Sequence, residues 1–181
     1  MKKILLIAAG VVVMSITFNN HLGAQQASQA TLRDQPDFIS HFFEKLAAVD
    51  SGSEFPITEI NTKAIRQFAK TYGGAENVHW FKAQNGIIAF FSLNGIKSRA
   101  DYDKKGNWLY NIRYYGEKDL SKEIRDLVKK SYYDFSITLV NEITDESQTA
   151  YLIQVEDSSN LKMLRIYDGE LTVLKEYVKS K

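Results

Sequence analysis

Few residues of this chain have the types and spacing that catalysis or metal binding requires. Cysteine is absent and only three histidines occur, so thiolate nucleophiles and thiolate metal ligands are excluded. His41 lies opposite the apolar stripe of a predicted helix, and His79 has no second imidazole or carboxylate at ligand spacing. No nucleophile-elbow motif is present. We therefore expect no catalytic residues, no metal site and no cofactor, and we expect that the protein is not an enzyme.

One turn imitates the start of a calcium-binding loop. Asp101, Asp103 and Gly106 match the first positions of such a loop. Lys105, however, stands where the loop needs Asp or Asn, and Ile112 replaces the closing glutamate. The lysines of this turn would also repel a cation. The segment 103–106 is therefore predicted to be a hairpin turn.

The N-terminal residues have the order of a secretion signal. Lys2 and Lys3 precede a run of about 15 uncharged, mostly apolar residues, which is shorter than the roughly 20 that span a bilayer. Ala24 then completes a small-residue cleavage site. We expect residues 1–24 to be a signal peptide that is removed, leaving a periplasmic or secreted protein with no membrane span.

The charge balance argues against nucleic acid as a partner. The chain has 23 basic and 22 acidic residues, a net charge of +1, and loss of the signal would remove two lysines. A protein so close to neutral has no electrostatic footprint for nucleic acid or anionic membranes.

Residues 25–54 are predicted to be a polar segment followed by an extra helix. Asp34 suits the N-cap and Pro36 the first turn. Six apolar side chains then recur at helical spacing and share one face: Phe38, Ile39, Phe42, Phe43, Leu46 and Val49. The run from Asp50 to Ser53 ends this helix.

The remainder of the chain contains an internal repeat. The segment 62–66 returns as 121–125, which aligns Ile65 with Ile124. In each half a helical period gives way to alternating strands, punctuated by Asn85-Gly86, Asn94-Gly95 and Asp168-Gly169, dipeptides typical of turns with positive φ at both central residues. We predict an α+β fold in which a helix plus a four-stranded antiparallel meander is duplicated in tandem, over residues 55–118 and 119–181. The product would be a curved antiparallel sheet with helices on one face.

Several segments resemble one family of exported proteins. The runs 64–80, 102–110 and 119–125 are similar to segments of the PepSY-like (beta-lactamase-inhibitor-like) proteins of Bacteroidetes, with Gly-Asn-Trp-Leu-Tyr at 106–110 the most specific match. Ser121 stands where the family is expected to carry proline. The resemblance implies this fold, export, and binding of a protein or peptide. It supplies no catalytic residue.

Aromatic stripes are the candidate binding features. Trp108, Tyr110 and Tyr114 alternate along one predicted strand, and Trp80 lies on another. These side chains either fill the layer between sheet and helices or form a patch on the open sheet face, because short helices cover only one face of an eight-stranded sheet. If they belong to the core, the open face is left to Leu109, Arg113 and Tyr115.

Two functions follow from this prediction. The first is an exported, non-enzymatic module that binds a protein or peptide in the periplasm or cell envelope, with an inhibitory role among the options. The alternative is a structural or envelope-stress protein that self-associates through its sheet face. The protein would be a monomer in the first case and a homodimer in the second. A carrier of an apolar small molecule is a third, weaker option.

Overall fold

The computed structural model describes residues 56–179. The predicted signal peptide, the extra helix and His41 lie outside the described residues. Two helices of ten residues are present, α1 (Thr62–Thr71) and α2 (Lys122–Ser131), each preceded by a 3-10 turn at Ile57–Glu59 and at Glu117–Asp119. The eight strands are β1 (Glu76–Ala83), β2 (Gly86–Leu93), β3 (Ile96–Asp103), β4 (Trp108–Tyr115), β5 (Ser136–Thr144), β6 (Thr149–Glu156), β7 (Asn160–Tyr167) and β8 (Glu170–Val178). Over the described range, neither helix has the length and apolar character needed to cross a bilayer.

All eight strands form one open antiparallel sheet in sequence order, from β1 to β8. The order of elements is the same in the two halves, and β4 pairs directly with β5. The predicted α+β class and antiparallel sheet are therefore confirmed. The origin of the two halves in a duplication stays a prediction.

Both helices pack on the same face of this sheet. Phe68 of α1 packs with Ala89 and Ala100, and Val128 of α2 packs with Tyr115. Ala100 pairs with Asn111, which lies on the face of Tyr115 because alternate residues of a strand share a face. We call this face the helix face and the opposite one, which neither α1 nor α2 contacts, the distal face.

Side-chain caps fix where the two helices begin. The side chain of Asn61 accepts a hydrogen bond from the Lys63 backbone N–H (2.9 Å), and Ser121 Oγ accepts one from the Ile124 N–H (3.4 Å). Counted from these caps, Ile124 corresponds to the fully buried Ala64. The predicted equivalence of Ile65 with Ile124 is therefore wrong by one residue. The N-cap residue sets the register of each helix, and the sequence identity between the two segments does not.

The tight turns follow the prediction at two of three sites. Asn94-Gly95 and Asp168-Gly169 have positive φ at both residues, as two-residue hairpins of this type require. Gly86, in contrast, has no positive φ and is the first residue of β2, so that Gln84 and Asn85 form the loop. A Cβ on Gly86 would lie 1.9 Å from the carbonyl oxygen of Tyr102. The glycine is needed there for close approach of two strands.

Candidate functional site

The four predicted binding residues divide between the two faces of the sheet. Trp80 is 5% exposed and packs under α1 with Phe68. Trp108 also contacts this core, and its Nε1 donates a hydrogen bond to the hydroxyl of Tyr72 at the end of α1 (2.9 Å). Both tryptophans therefore join the sheet to α1 on the helix face. Tyr110 and Tyr114 belong to the distal face.

A β-bulge causes this separation. Asp101 pairs with Tyr110, but the next residue, Tyr102, pairs with Trp108, which leaves Leu109 as an extra residue in β4. One extra residue reverses the alternation of side chains across the bulge. Trp108 therefore faces the helices while Tyr110 faces away from them, and the predicted stripe of three aromatics on one face of β4 is interrupted at its first member.

The distal face contains a buried ion pair. Nε and Nη2 of Arg99 each donate to the carboxylate of Asp101, both at 2.6 Å, in a bidentate arrangement. The Tyr110 hydroxyl donates to Oδ2 of Asp101 (2.9 Å). Arg99 is 1% exposed and Asp101 is 7% exposed. Two charges are thus joined by two hydrogen bonds, and a third binds the carboxylate to Tyr110, on a sheet face that neither α1 nor α2 contacts.

The ion pair changes the ionisation of its neighbours. Burial acts to lower the pKa of Arg99, but the Asp101 carboxylate outweighs it, and the net effect raises that pKa above its ordinary value. Burial also raises the pKa of Tyr110, with a further contribution from Asp101. The pKa of Tyr114 is raised to about 12 by burial, against the guanidinium of Arg99, which lowers it. Arg99 therefore stays charged, and both tyrosines stay neutral, over the whole physiological range.

Two buried polar atoms beside this ion pair have no well-formed hydrogen bond in the described part of the chain. They are Nη1 of Arg99 and the hydroxyl oxygen of Tyr114. Buried donors and acceptors are nearly always paired, and an unpaired one costs about 1–3 kcal/mol. The Arg99 guanidinium lies close enough to Tyr114 to lower the pKa of that hydroxyl, so the two groups are neighbours whose mutual hydrogen bond is poorly formed.

The distal face is buried at its centre and open at its edges. Side chains with at most 7% exposure lie on every strand from β2 to β7: Ile88, Arg99, Asp101, Tyr110, Ile112, Ile143, Ala150, Leu152 and Arg165. On the edge strand β1, in contrast, His79 is exposed and Phe81 is half-buried. Neither described helix contacts this face.

The sequence contains a signal for the ion pair. Arg99 and Asp101 are two residues apart on a strand, and their side chains must therefore share a face. Opposite charges at this spacing on one strand indicate an ion pair. Their burial, however, depends on what lies above the sheet, and strand periodicity does not report that.

The calcium-like turn has a structural role. Oδ1 of Asp103 accepts hydrogen bonds from the backbone N–H groups of Lys105 and Asn107, both at 2.8 Å, and Oδ2 accepts one from the Asn107 amide (2.7 Å). These bonds lower the pKa of Asp103. The carboxylate therefore stabilises the turn itself, and this turn joins β3 to β4 as the predicted hairpin. Residues 56–179 contain no cluster of three or more side chains suited to a metal ion.

Solved structures with a similar fold come from Bacteroides. A BLIP-like protein of Bacteroides fragilis aligns with a TM-score of 0.55 at 18% identity, over 70% of this chain and 90% of that one. A DUF2874 family protein of Bacteroides ovatus gives 0.54 at 18% identity, over 66% and 87%. A predicted periplasmic protein of Bacteroides eggerthii gives 0.53 at 16% identity, over 66% and 88%. At such identities the likeness shows a shared fold.

Comparison by sequence gave no relative. No protein-family model matches the chain, and no curated protein matches it. The similarity to the BLIP-like and DUF2874 proteins therefore lies in the arrangement of sheet and helices.

Proposed function

We propose that this chain is an exported, non-enzymatic binding module that receives an apolar segment of a protein or peptide on its distal face. One observation carries the proposal: the distal face presents a cluster of apolar and aromatic side chains beside a neutralised ion pair, and both described helices lie on the other side of the sheet. A sheet face that is apolar and charge-balanced is suited to being covered by polypeptide.

The chemistry of the face indicates the kind of segment. Ile112, Ile143 and Leu152 offer apolar contact, and Tyr110 and Tyr114 add rigid aromatic area with polar tips. The Arg99 guanidinium is already neutralised by Asp101, so a strongly charged ligand would gain little there. An apolar segment that presents one or two hydrogen-bonding groups is the best match.

The place of action is the periplasm or the cell envelope. The signal-like residues 1–24 support export, and the similar fold of the predicted periplasmic protein from Bacteroides eggerthii agrees with it. The similar fold of the BLIP-like protein makes an inhibitory role one form that binding can take.

Site-specific photo-crosslinking in cells tests this proposal. Benzoylphenylalanine in place of Tyr114 should capture a partner polypeptide, whereas the same residue in place of Tyr133 should not. Tyr133 is 80% exposed and lies outside the distal face, so it is a matched aromatic control.

The captured partner is then purified and its affinity measured. Tyr114→Arg should weaken binding about tenfold or more, because aromatic side chains at an interface centre contribute most of its affinity, and Tyr133→Arg should leave it unchanged. Equal capture at both sites, or equal affinity of both variants, would contradict the proposal. Capture of a second copy of the chain at Tyr114, with a dimer by light scattering, would establish the self-associating alternative instead.

A further inference from the structure

Five exposed cations and one exposed isoleucine lie on and beside α1. We give the name basic surface to this group of residues: Ile57, Lys63, Arg66, Lys70, Lys104 and Lys105. We propose that the basic surface contacts an anionic phospholipid bilayer. The net charge of +1 led us to expect no such contact, but a total charge does not report how the charges are distributed. The contact does not depend on the proposed binding at the distal face.

Three of the cations form a row along the outer side of α1. Lys63, Arg66 and Lys70 recur at spacings of three and four residues, so they share one side of the helix. Ala64 and Phe68, which are buried against the sheet, lie on the other side. The row rises about 10 Å along the helix axis, and the ten residues of α1 include no acidic side chain.

The β3–β4 turn places two more cations beside the start of this row. The Asn61 side chain, at the N-cap of α1, donates a hydrogen bond to the carbonyl oxygen of Lys104 (3.4 Å). Lys104 and Lys105 are both exposed. The Asp103 carboxylate in the same turn accepts hydrogen bonds from backbone N–H groups and offsets part of this charge. The turn therefore extends the basic surface beyond the helix.

The corresponding helix of the second half has a different charge pattern. In α2, Lys122 pairs with Asp126, and both Arg125 and Lys129 lie within ion-pair distance of Glu117 (3.9 and 3.7 Å). Within residues 56–179, in contrast, no carboxylate lies within 4 Å of a cation of the basic surface. Unneutralised positive charge is therefore specific to α1 and its neighbouring turn.

The exposed isoleucine indicates a bilayer as the partner of these cations. Ile57 is 59% exposed and belongs to the 3-10 turn that precedes α1. Protein interfaces are built around a centre of several large apolar or aromatic side chains, and the basic surface includes one. Contact with a bilayer requires cations for the anionic headgroups and some apolar area for the boundary with the acyl chains. The basic surface offers both.

This contact would leave the distal face accessible. The basic surface lies on the helix face, because α1 packs on that side of the sheet, whereas Tyr110 and Tyr114 lie on the other side. With α1 towards the bilayer, the distal face points away from it. A polypeptide partner can then reach both tyrosines while the protein is held at the membrane.

Co-sedimentation with lipid vesicles tests the proposal on the mature chain, residues 25–181. Vesicles of phosphatidylglycerol and phosphatidylcholine in equal parts are the anionic probe, and vesicles of phosphatidylcholine alone are the neutral one. We expect binding to the anionic vesicles and little binding to the neutral ones. Binding should be lost above about 0.5 M salt, where the Debye length falls to about 4 Å.

Paired substitutions locate the contact on the protein. Each Lys or Arg near an anionic surface raises the affinity about fivefold, so Arg66→Gln combined with Lys70→Gln should weaken binding about twentyfold or more. The matched control combines Lys97→Gln with Lys175→Gln, which removes the same charge from exposed residues of the distal face. This control should weaken binding less than about twofold, because those charges lie beyond a Debye length from the bilayer. Ile57→Ser should weaken binding about threefold or more by removing apolar contact.

Three results would overturn the proposal. They are equal binding to the two kinds of vesicle, an equal loss in the two paired variants, and an affinity that Ile57→Ser leaves unchanged. Binding to soluble polyglutamate without binding to anionic vesicles would also overturn it and would make an acidic polypeptide the partner. Partner capture at Tyr114 should persist when Arg66 and Lys70 are replaced, so this proposal and the proposed function can fail separately.

Discussion

At the residue scale, two tyrosines on the distal face differ in how they contact the Arg99–Asp101 ion pair. The Tyr110 hydroxyl donates to Asp101 (2.9 Å), whereas the Tyr114 hydroxyl is buried without a well-formed partner in residues 56–179. We expect Tyr110→Phe to lower the free energy of unfolding by about 1.5–3 kcal/mol, the range for hydrogen bonds to charged groups. Tyr114→Phe should lower it less than Tyr110→Phe does, because the Tyr114 hydroxyl makes no well-formed bond to a carboxylate. Urea unfolding of both variants measures the difference, and equal losses would mean that the Asp101 bond contributes nothing particular.

The ion pair of Arg99 and Asp101 gives a second prediction. Asp101→Asn removes the negative partner of a buried arginine and should lower the free energy of unfolding by about 3–5 kcal/mol. The matched control is Asp126→Asn on α2, which breaks an ion pair with Lys122 whose side chains are 60% and 85% exposed. This control should cost less than about 1 kcal/mol. A similar loss of unfolding free energy in both variants would show that Arg99 is accessible to water.

At the scale of elements, the β3–β4 turn is fixed against the start of α1. Gly106 has φ +79°, and a Cβ there would lie 2.9 Å from the backbone nitrogen of Ala64 and 2.9 Å from the side chain of Asn61. Lys63 Nζ also donates to the Asn107 side chain across this contact. The turn and the helix cap are therefore one packed unit, which positions α1 over the first half of the sheet.

Substitution of this glycine separates backbone strain from crowding. Gly95 has nearly the same φ, +77°, but a Cβ there would meet nothing within 4 Å. Gly95→Ala should cost about 1–2 kcal/mol for the left-handed conformation alone. Gly106→Ala should cost about 1–3 kcal/mol more, because the added methyl crowds backbone atoms. Thermal unfolding of both variants provides the test, and equal melting temperatures would contradict the close packing of turn and helix.

The β-bulge and the packing of α1 explain why Trp80 and Trp108 are poor binding candidates. The bulge between Asp101 and Tyr102 turns Trp108 towards Tyr72, and Trp80 packs against Phe68. Truncating either would be expected to cost several kcal/mol of stability through a cavity. An effect of such variants on binding would therefore be indirect. Of the four binding residues predicted from the sequence, Tyr110 and Tyr114 remain candidates for partner contact.

At the scale of the whole molecule, buried tyrosines on both faces make stability depend on alkaline pH. Burial raises the pKa of Tyr72, on the helix face, to about 12. Burial likewise raises the pKa of Tyr114, on the distal face, to about 12. In the unfolded chain a tyrosine has a pKa of about 10. Above about pH 10 the unfolded state therefore releases protons that the folded state retains, and the free energy of unfolding falls as pH rises towards about 12.

Urea unfolding between about pH 8 and about pH 11 measures this slope, since the contribution is fully present below the unfolded pKa of about 10. Tyr114→Phe should make the decline with pH shallower, because it removes one of the linked groups while leaving stability at neutral pH nearly unchanged. An identical slope in this variant would mean that Tyr114 is already accessible to solvent in the folded protein.

The sequence by itself determined the local features of this protein. The helix starts at Asn61 and Ser121, the turns at Asn94-Gly95 and Asp168-Gly169, and the alternation of the strands between them depend on a few neighbouring residues. Short connections then force antiparallel neighbours. The α+β class and the strand order within each half follow from these short-range preferences, whereas the pairing of β4 with β5, which residues 116–135 separate, does not.

The tertiary structure decided which side chains meet. A single extra residue at Leu109 moved Trp108 to the other face of the sheet, and no local preference distinguishes the two registers. The loop at Gln84-Asn85 was set by the close approach of Gly86 to Tyr102, a residue on another strand. The burial of Arg99 likewise depends on the packing around it. Local energies fix conformation along the chain, whereas the candidate site depends on strand register and on what lies above the sheet, and those are properties of the folded molecule.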